Sequence, residues 1–153
     1  MLLIMIMVNK DIKVDKVKKN FYLTLVVLIT VLTITYIYTR PQKVVMVTDD
    51  NLLILDSGKK IFLLGIDAKR LGHRFISSMV EGKEVTLDYD RTQPDKNGLS
   101  YAYVYLSDGT FVNAEVIRKG YARVDTRFPF AYSSEFINYQ REAQAEKRGL
   151  WSD

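Results

Sequence analysis

The sequence predicts an α+β protein, a five-stranded β domain with three α-helices behind one apolar N-terminal helix. Three observations predict it. Phe21 to Tyr38 runs for 18 residues without a charge. From Val44 onward, short runs of β-branched, aliphatic and aromatic residues are separated by turn residues. Three later stretches carry apolar residues at helical spacing, and each stops at a glycine.

Residues 1–8 are apolar but too short to cross a bilayer, and residues 9–20 are polar and lysine-rich. At about 1.5 Å per residue, a helix over 21–38 just crosses a hydrocarbon core of about 30 Å. Tyr22, Tyr36 and Tyr38 lie near its ends, where aromatic residues favour the interface, and Arg40-Pro41 closes it. Val, Ile and Thr would also suit a pair of buried strands. The length and charge pattern favour a span over a cleaved signal peptide, since no small-x-small site follows. Lysines before the span outnumber the basic residues just after it. The expected topology is therefore single-pass, with the N-terminus inside and the domain on the opposite side. The expected division is 1–20 lysine-rich segment, 21–38 transmembrane helix, 39–43 linker and 44–153 folded domain.

Within that domain, Val44–Val47 and Leu52–Leu55 flank the polar Thr48-Asp49-Asp50-Asn51 as a hairpin, and Asp56-Ser57-Gly58 turns into a third strand. That strand, in Lys59 to Arg70, is an apolar run leaving the core at Gly65-Ile66-Asp67. A helix is expected from His73 to Glu81, stopped by Gly82, then strands at Glu84–Tyr89 and Leu99–Leu106. A second helix follows from Phe111 to Lys119. A third is capped by Ser133 or Ser134 and ends near Arg148-Gly149.

The net charge of +4 is unevenly placed. Residues 1–43 hold seven Lys or Arg against two Asp, whereas residues 44–153 hold 15 Lys or Arg against 16 Asp or Glu. The domain itself is near neutral, which argues against a broad phosphate-neutralising face. There is no cysteine, so disulfides are excluded.

Seven pieces fall in a particular order: Gly65-Ile66-Asp67-Ala68, Asp95-Lys96-Asn97-Gly98, Ala102-Tyr103-Val104-Tyr105, Asp108-Gly109, Val112-Asn113, Gly120-Tyr121-Ala122, and Ala143 through Gly149-Leu150-Trp151. In this order and spacing they resemble the staphylococcal nuclease-like family over roughly residues 44–153. The resemblance implies a five-stranded OB-fold β-barrel with three helices. It also implies phosphodiester hydrolysis by two arginines, a glutamate and a Ca²⁺ held largely by two aspartates.

The matching positions differ. Phe62 and Leu99 stand where the family arginines would be, and Arg70 stands where the glutamate would be. A phenyl or isobutyl group cannot stabilise a developing oxyanion, and a guanidinium cannot accept a proton from water. The resemblance, so modified, implies no catalytic residue. For metal it leaves Asp67 with Asp50, or with Asn51 in the neighbouring register. No cofactor is expected, with Ca²⁺ binding at most weak. Lys96 matches a phosphate-facing lysine, although a surface loop also accounts for it, as a solvated turn accounts for Asp50.

The expectation is a catalytically inactive, membrane-anchored domain acting as a scaffold or accessory subunit of a membrane assembly, in a bacterial or mitochondrial inner membrane. Its partners would be the membrane and other proteins, with nucleic acid disfavoured. The alternative is a membrane-tethered Ca²⁺-dependent nuclease, or a module in which Arg70 and Lys96 grip phosphate without cleavage. The replaced cleft is expected to place Phe62 near Leu99 as an apolar patch, with Arg70 pairing Asp67.

Overall fold

The computed structural model describes residues 2–90 and 99–152, with side chains from residue 16 onward except Tyr38 and Thr39. The chain divides into two compact units, Met1–Arg40 and Pro41–Asp153.

The first unit is one helix, α1, Leu2–Thr39. It begins well before the expected residue 21, because nothing between residues 2 and 39 is glycine or proline. Pro41 ends it, since the ring disfavours helical backbone in the preceding residue. The Val, Ile and Thr content does not divert this segment into strands. The threonine hydroxyls bond carbonyls one turn back: Thr24 to Asn20 at 2.9 Å, Thr33 to Ile29 at 2.7 Å and Thr35 to Val31 at 2.9 Å. A hydroxyl satisfied within its own helix is compatible with an apolar surrounding. Lys16–Ile37 is long and apolar enough to cross a membrane, and its side chains are exposed.

The second unit starts with β1, Gln42–Val47, so the expected linker over 39–43 contracts to Arg40-Pro41. It continues through β2 Leu52–Leu55, β3 Lys60–Leu63, β4 Ile66–Ala68, α2 Arg70–Val80, β5 Glu84–Tyr89 and β6 Leu99–Leu106. It ends with α3 Val112–Arg118, β7 Ala122–Val124, α4 Ser133–Ala145 and a 3₁₀ turn over Gly149–Trp151. Five strands close in the order β1-β2-β3-β6-β5, while β4 and β7 form a separate two-stranded sheet. β3 runs parallel to β6; the other barrel pairs are antiparallel.

The barrel is filled by one side of each strand. Val44, Leu53, Leu55, Ile61, Val85 and Val104 are essentially inaccessible, and Ile76, Val80, Val112 and Val116 plug the ends from α2 and α3. Burying each such side chain is worth about 1.5–3 kcal/mol. Outside the barrel, Tyr103, Phe130 and Phe136 form a second cluster with Ala114, Ile117 and Leu64.

Asn113 joins the two layers. Its Nδ2 donates to the carbonyls of Leu64 at 2.9 Å and Ala102 at 3.2 Å, and its Oδ1 accepts from Val104 N–H at 2.9 Å. One buried amide thereby bonds three backbone groups, one of them the Ala102 carbonyl that also accepts from Leu64 N–H at 3.0 Å.

Helix ends depart from expectation. α2 starts at Arg70 rather than His73, because Gly72 lies inside it, where a Cβ would press on Ala68 Cβ at 2.8 Å. This glycine allows close packing and breaks nothing. α4 has Tyr132 at its N-cap with no side-chain cap bond, so neither Ser133 nor Ser134 caps it. It stops at Ala145, with Lys147 in left-handed backbone (φ 52°).

Candidate active site

Of the sequence positions singled out for chemistry, Asp50, Asn51, Phe62 and Asp67 line one cleft at the end of β3, and Leu99 and Arg70 do not. Alternation sends Ile61 and Leu63 inward and Phe62 outward, where it is half-buried. The parallel register sets Phe62 opposite Tyr101 and Lys60 opposite Leu99. The Phe62 and Tyr101 rings stack at 5.4 Å between centroids with 25° between planes. The expected Phe62–Leu99 patch is therefore corrected to a Phe62–Tyr101 stack. Leu99 lies two residues along the strand and does not line the cleft.

Gly65 redirects the chain after β3. Its φ of +76° is left-handed, and a Cβ there would sit 2.7 Å from the Phe130 ring. The loop after β7 is fastened across this turn, Asp125 N–H donating to Gly65 O at 3.0 Å. Beyond it, β4 pairs with β7 and sets Asp67 opposite Arg123, with the Asp67 side chain exposed.

Between these elements lies a cleft of about 200 Å³, lined by Asp50, Asn51, Phe62, Asp67, Tyr101, Asp125, Arg127 and Phe128 among others. Arg127 is its organised cation. The guanidinium clasps Asp125, Nε donating to Oδ1 at 2.9 Å and Nη2 to Oδ2 at 2.7 Å, and the Arg127 backbone N–H adds a bond of 3.0 Å to Oδ1. Hydrogen bonding to Arg127 holds the Asp125 carboxyl below the usual range. Arg127 is raised in turn, chiefly by Asp125 and further by the fields of Asp67 and Tyr101. Arg127 and Asp67 thus line the same cleft.

Arg70 behaves otherwise. It is the exposed first residue of α2, outside the cleft lining. Among the described residues it forms no ion pair with Asp67. The backbone at Lys69, before the helix, is extended (φ −102°, ψ −170°), and the expected Arg70–Asp67 closure does not form; the arginine that shares the cleft with Asp67 is Arg127. Lys96 lies outside the described residues.

The acidic turn is resolved by Asn51. It adopts φ 61° and donates Nδ2 to Ala68 O at 2.6 Å, which ties the β1–β2 turn to the residue after Asp67. Its Oδ1 is buried without a hydrogen-bond partner. An orphaned amide oxygen beside the carboxylates of Asp67 and Asp50 is a donor set of the kind Ca²⁺ takes. Among the described residues no three His, Cys, Asp or Glu side chains gather as a metal cluster, so an ion here would depend on that amide. His73 is half-buried, its Nε2 3.9 Å from Asp49 Oδ1.

Arg127, Asp125, Tyr101 and Phe128 were not singled out from sequence. Asp125-x-Arg127 sits in an irregular loop near Pro129, with no periodicity to mark it. Tyr101 was read only as part of a strand.

Residues 60–153 match the family described as Staphylococcal nuclease homologue. A protein named "Uncharacterized endonuclease" from Escherichia coli is 37% identical over 123 residues, covering 72% of this chain and 76% of that protein. "Thermonuclease" from Staphylococcus hyicus is 26% identical over 131 residues, covering 74% of this chain and 77% of that protein. "Thermonuclease" from Staphylococcus intermedius is 27% identical over 122 residues, covering 69% and 72%. These names overturn the expectation of a catalytically inactive domain, because relatives matched over most of their length are named nucleases. The physical error lay in judging the site from three aligned positions. Leu99 and Arg70 lie outside the cleft, and a cation enters it from a different loop.

Proposed function

Since the chain belongs to the staphylococcal nuclease homologue family, we propose that its domain hydrolyses nucleic-acid phosphodiester bonds, anchored to a membrane by α1. The observation that carries this reading is that Arg127, held by Asp125, and the exposed Asp67 carboxylate line one cleft.

Water attacks phosphorus and the P–O ester bond breaks. Asp67 accepts the proton of the attacking water, and the departing oxygen is protonated from solvent. The Arg127 N–H groups not engaged by Asp125 donate to the non-bridging oxygens as negative charge grows on them. Asp125 fixes the guanidinium beforehand, so little reorganisation accompanies the reaction. Ca²⁺, when bound by Asp67, Asp50 and the Asn51 amide oxygen, supplies further positive charge at the phosphate. Lys69, Arg70 and Arg74 are exposed on the segment that follows β4. They give a nearly neutral domain a local basic surface beside the cleft.

The test is cleavage of single-stranded DNA and RNA by the full chain in detergent, with Ca²⁺ and with chelator. Ca²⁺-dependent cleavage that falls at least about a hundredfold in Asp67→Asn supports the reading. A purified, folded chain that cleaves neither strand overturns it. The anchor is tested separately. Lysines at both Leu28 and Ile29 should release the chain from membranes, at about 2.5–3.5 kcal/mol for each central charge. The lysine excess before the span favours an N-terminus inside and the domain opposite, and tags at the two ends found on the same side of sealed vesicles would refute that topology.

A further inference from the structure

The outer face of the β1–β2 hairpin carries apolar side chains that neither core takes up. The register between the two strands shifts from Val44 to Met46, so Val45 is an extra residue on β1. A bulge of this kind interrupts the alternation of a strand. Val44 and Val47 stay inside the barrel, while both residues between them are exposed, Val45 by 58% and Met46 by 48%. Met46 lies opposite Ile54. Ile54 and Leu52 are the half-buried, outward residues of β2, and they belong to neither buried cluster. Four apolar side chains thus share one outer surface, and an apolar surface of neighbouring residues marks a place that something covers.

We propose that this face rests on the lipid surface, with Val45 and Met46 set into the headgroup region of the membrane. The proposal rests on the reading of α1 as an anchor and adds which side of the domain meets the bilayer. Only Arg40 and Pro41 separate α1 from β1, and the apolar span ends at Ile37. Val45 follows Thr39 by six residues, at most about 20 Å of fully extended chain. Pro41 fixes its own backbone and restricts the residue before it, so the tether is stiff as well as short. A domain held this closely turns one side to the lipid, and exposed apolar side chains at the start of β1 favour that side. Charge does not select the lipid. Lys43 lies opposite Glu84, Val44 N–H donates to Lys83 O at 2.9 Å, and Val47 N–H donates to Glu81 Oε1 at 2.7 Å. Two exposed lysines and two exposed glutamates therefore border the patch, and an uncharged lipid surface suffices.

The chain has no cysteine, so a single introduced cysteine can carry an environment-sensitive fluorophore. The full chain is placed in phosphatidylcholine nanodiscs at one copy per disc, labelled at Ile54→Cys or, for reference, at Gln144→Cys on the exposed side of α4. Quenching is read with nitroxide-bearing lipid and with iodide in the water. The expected result is a blue-shifted Ile54→Cys label, quenched by the lipid and protected from iodide, with the reverse at Gln144→Cys. Adding Val45→Ser and Met46→Ser together should return the Ile54→Cys label to the aqueous behaviour while the chain stays in the disc. Both positions are exposed, so the fold tolerates the change. An Ile54→Cys label as open to iodide as the Gln144→Cys label overturns the proposal. So does lipid quenching that the two serines leave unchanged, because the patch would then not be what holds the face down. Protection that needs two copies per disc and brings no lipid quenching assigns the patch to a second chain and overturns it as well. A folded chain that does not enter discs removes the anchor, and the lipid contact falls with it.

Discussion

β3 and β6 each have two faces with different fates. Inward, Ile61, Leu63, Ala102 and Val104 are no more than 4% exposed. Outward stand Phe62, Tyr101, Tyr103 and Tyr105, and these divide again. Tyr103 and Tyr105 are roofed by α3 and α4, where Phe111 stacks on Tyr105 at 4.6 Å and Tyr132 meets Tyr103 edge-on at 4.8 Å. Phe62 and Tyr101 form the cleft wall with the loop after β7. An inward residue needs only to be apolar and of the right volume. What an outward aromatic does depends on which later element covers it, and that is decided far along the chain.

The roofed half should break with the largest loss of stability. Phe136 is fully buried and contacts Phe111, Phe130 and Tyr132. Phe136→Ala should lower unfolding stability by about 3–5 kcal/mol in denaturant titration. The join between the faces comes next. Asn113→Ala strips its side-chain partner from Leu64 O and Val104 N–H, while Ala102 O keeps its bond from Leu64 N–H, for about 2–3 kcal/mol. If Asn113 were merely packed, Asn113→Leu would restore that stability, and it should not.

The open half should respond in activity more than in stability. Gly65→Ala forces left-handed backbone and a contact with Phe130, for about 1–3 kcal/mol. Its loss of cleavage should exceed the fraction unfolded, because the turn aims Asp67. The smallest expected effect is in acid. Asp125 is depressed by its bond to Arg127, so the contribution of this pair is fully present above the unfolded carboxyl value of about 3.9. It is lost as pH falls through the lower folded value. Arg127→Gln should flatten that acid limb of the stability profile; an unchanged limb would mean the pair is not coupled to folding.

Much of the fold could be read from residue patterns. Glu84–Tyr89 and Leu99–Leu106 end where alternation ends, and Pro41 closes α1 by its own geometry. The β4–β7 sheet could not be read, because three-residue strands are too short for a period and their pairing joins residues 66 and 124. The start of α2 at Arg70 could not be read, because Gly72 is accommodated by close packing on Ala68 and Tyr121 that only the fold brings about. The same limit applied to the site. Asp67 was visible on a motif, whereas Arg127 reaches the cleft through a loop whose course depends on a backbone bond to Gly65. Arg70, by contrast, follows Asp67 by three residues in the motif yet lies outside the cleft lining.

The central claim is that the working cation comes from that loop and not from the residue aligned with the strand motif. It is tested by single-turnover cleavage of a single-stranded oligonucleotide with Ca²⁺, comparing the wild-type chain with Arg127→Ala and Arg70→Ala. The account predicts a loss of about 10²–10³ for Arg127→Ala and less than tenfold for Arg70→Ala, an exposed charge outside the cleft. Full activity in Arg127→Ala, or the larger loss in Arg70→Ala, would contradict it.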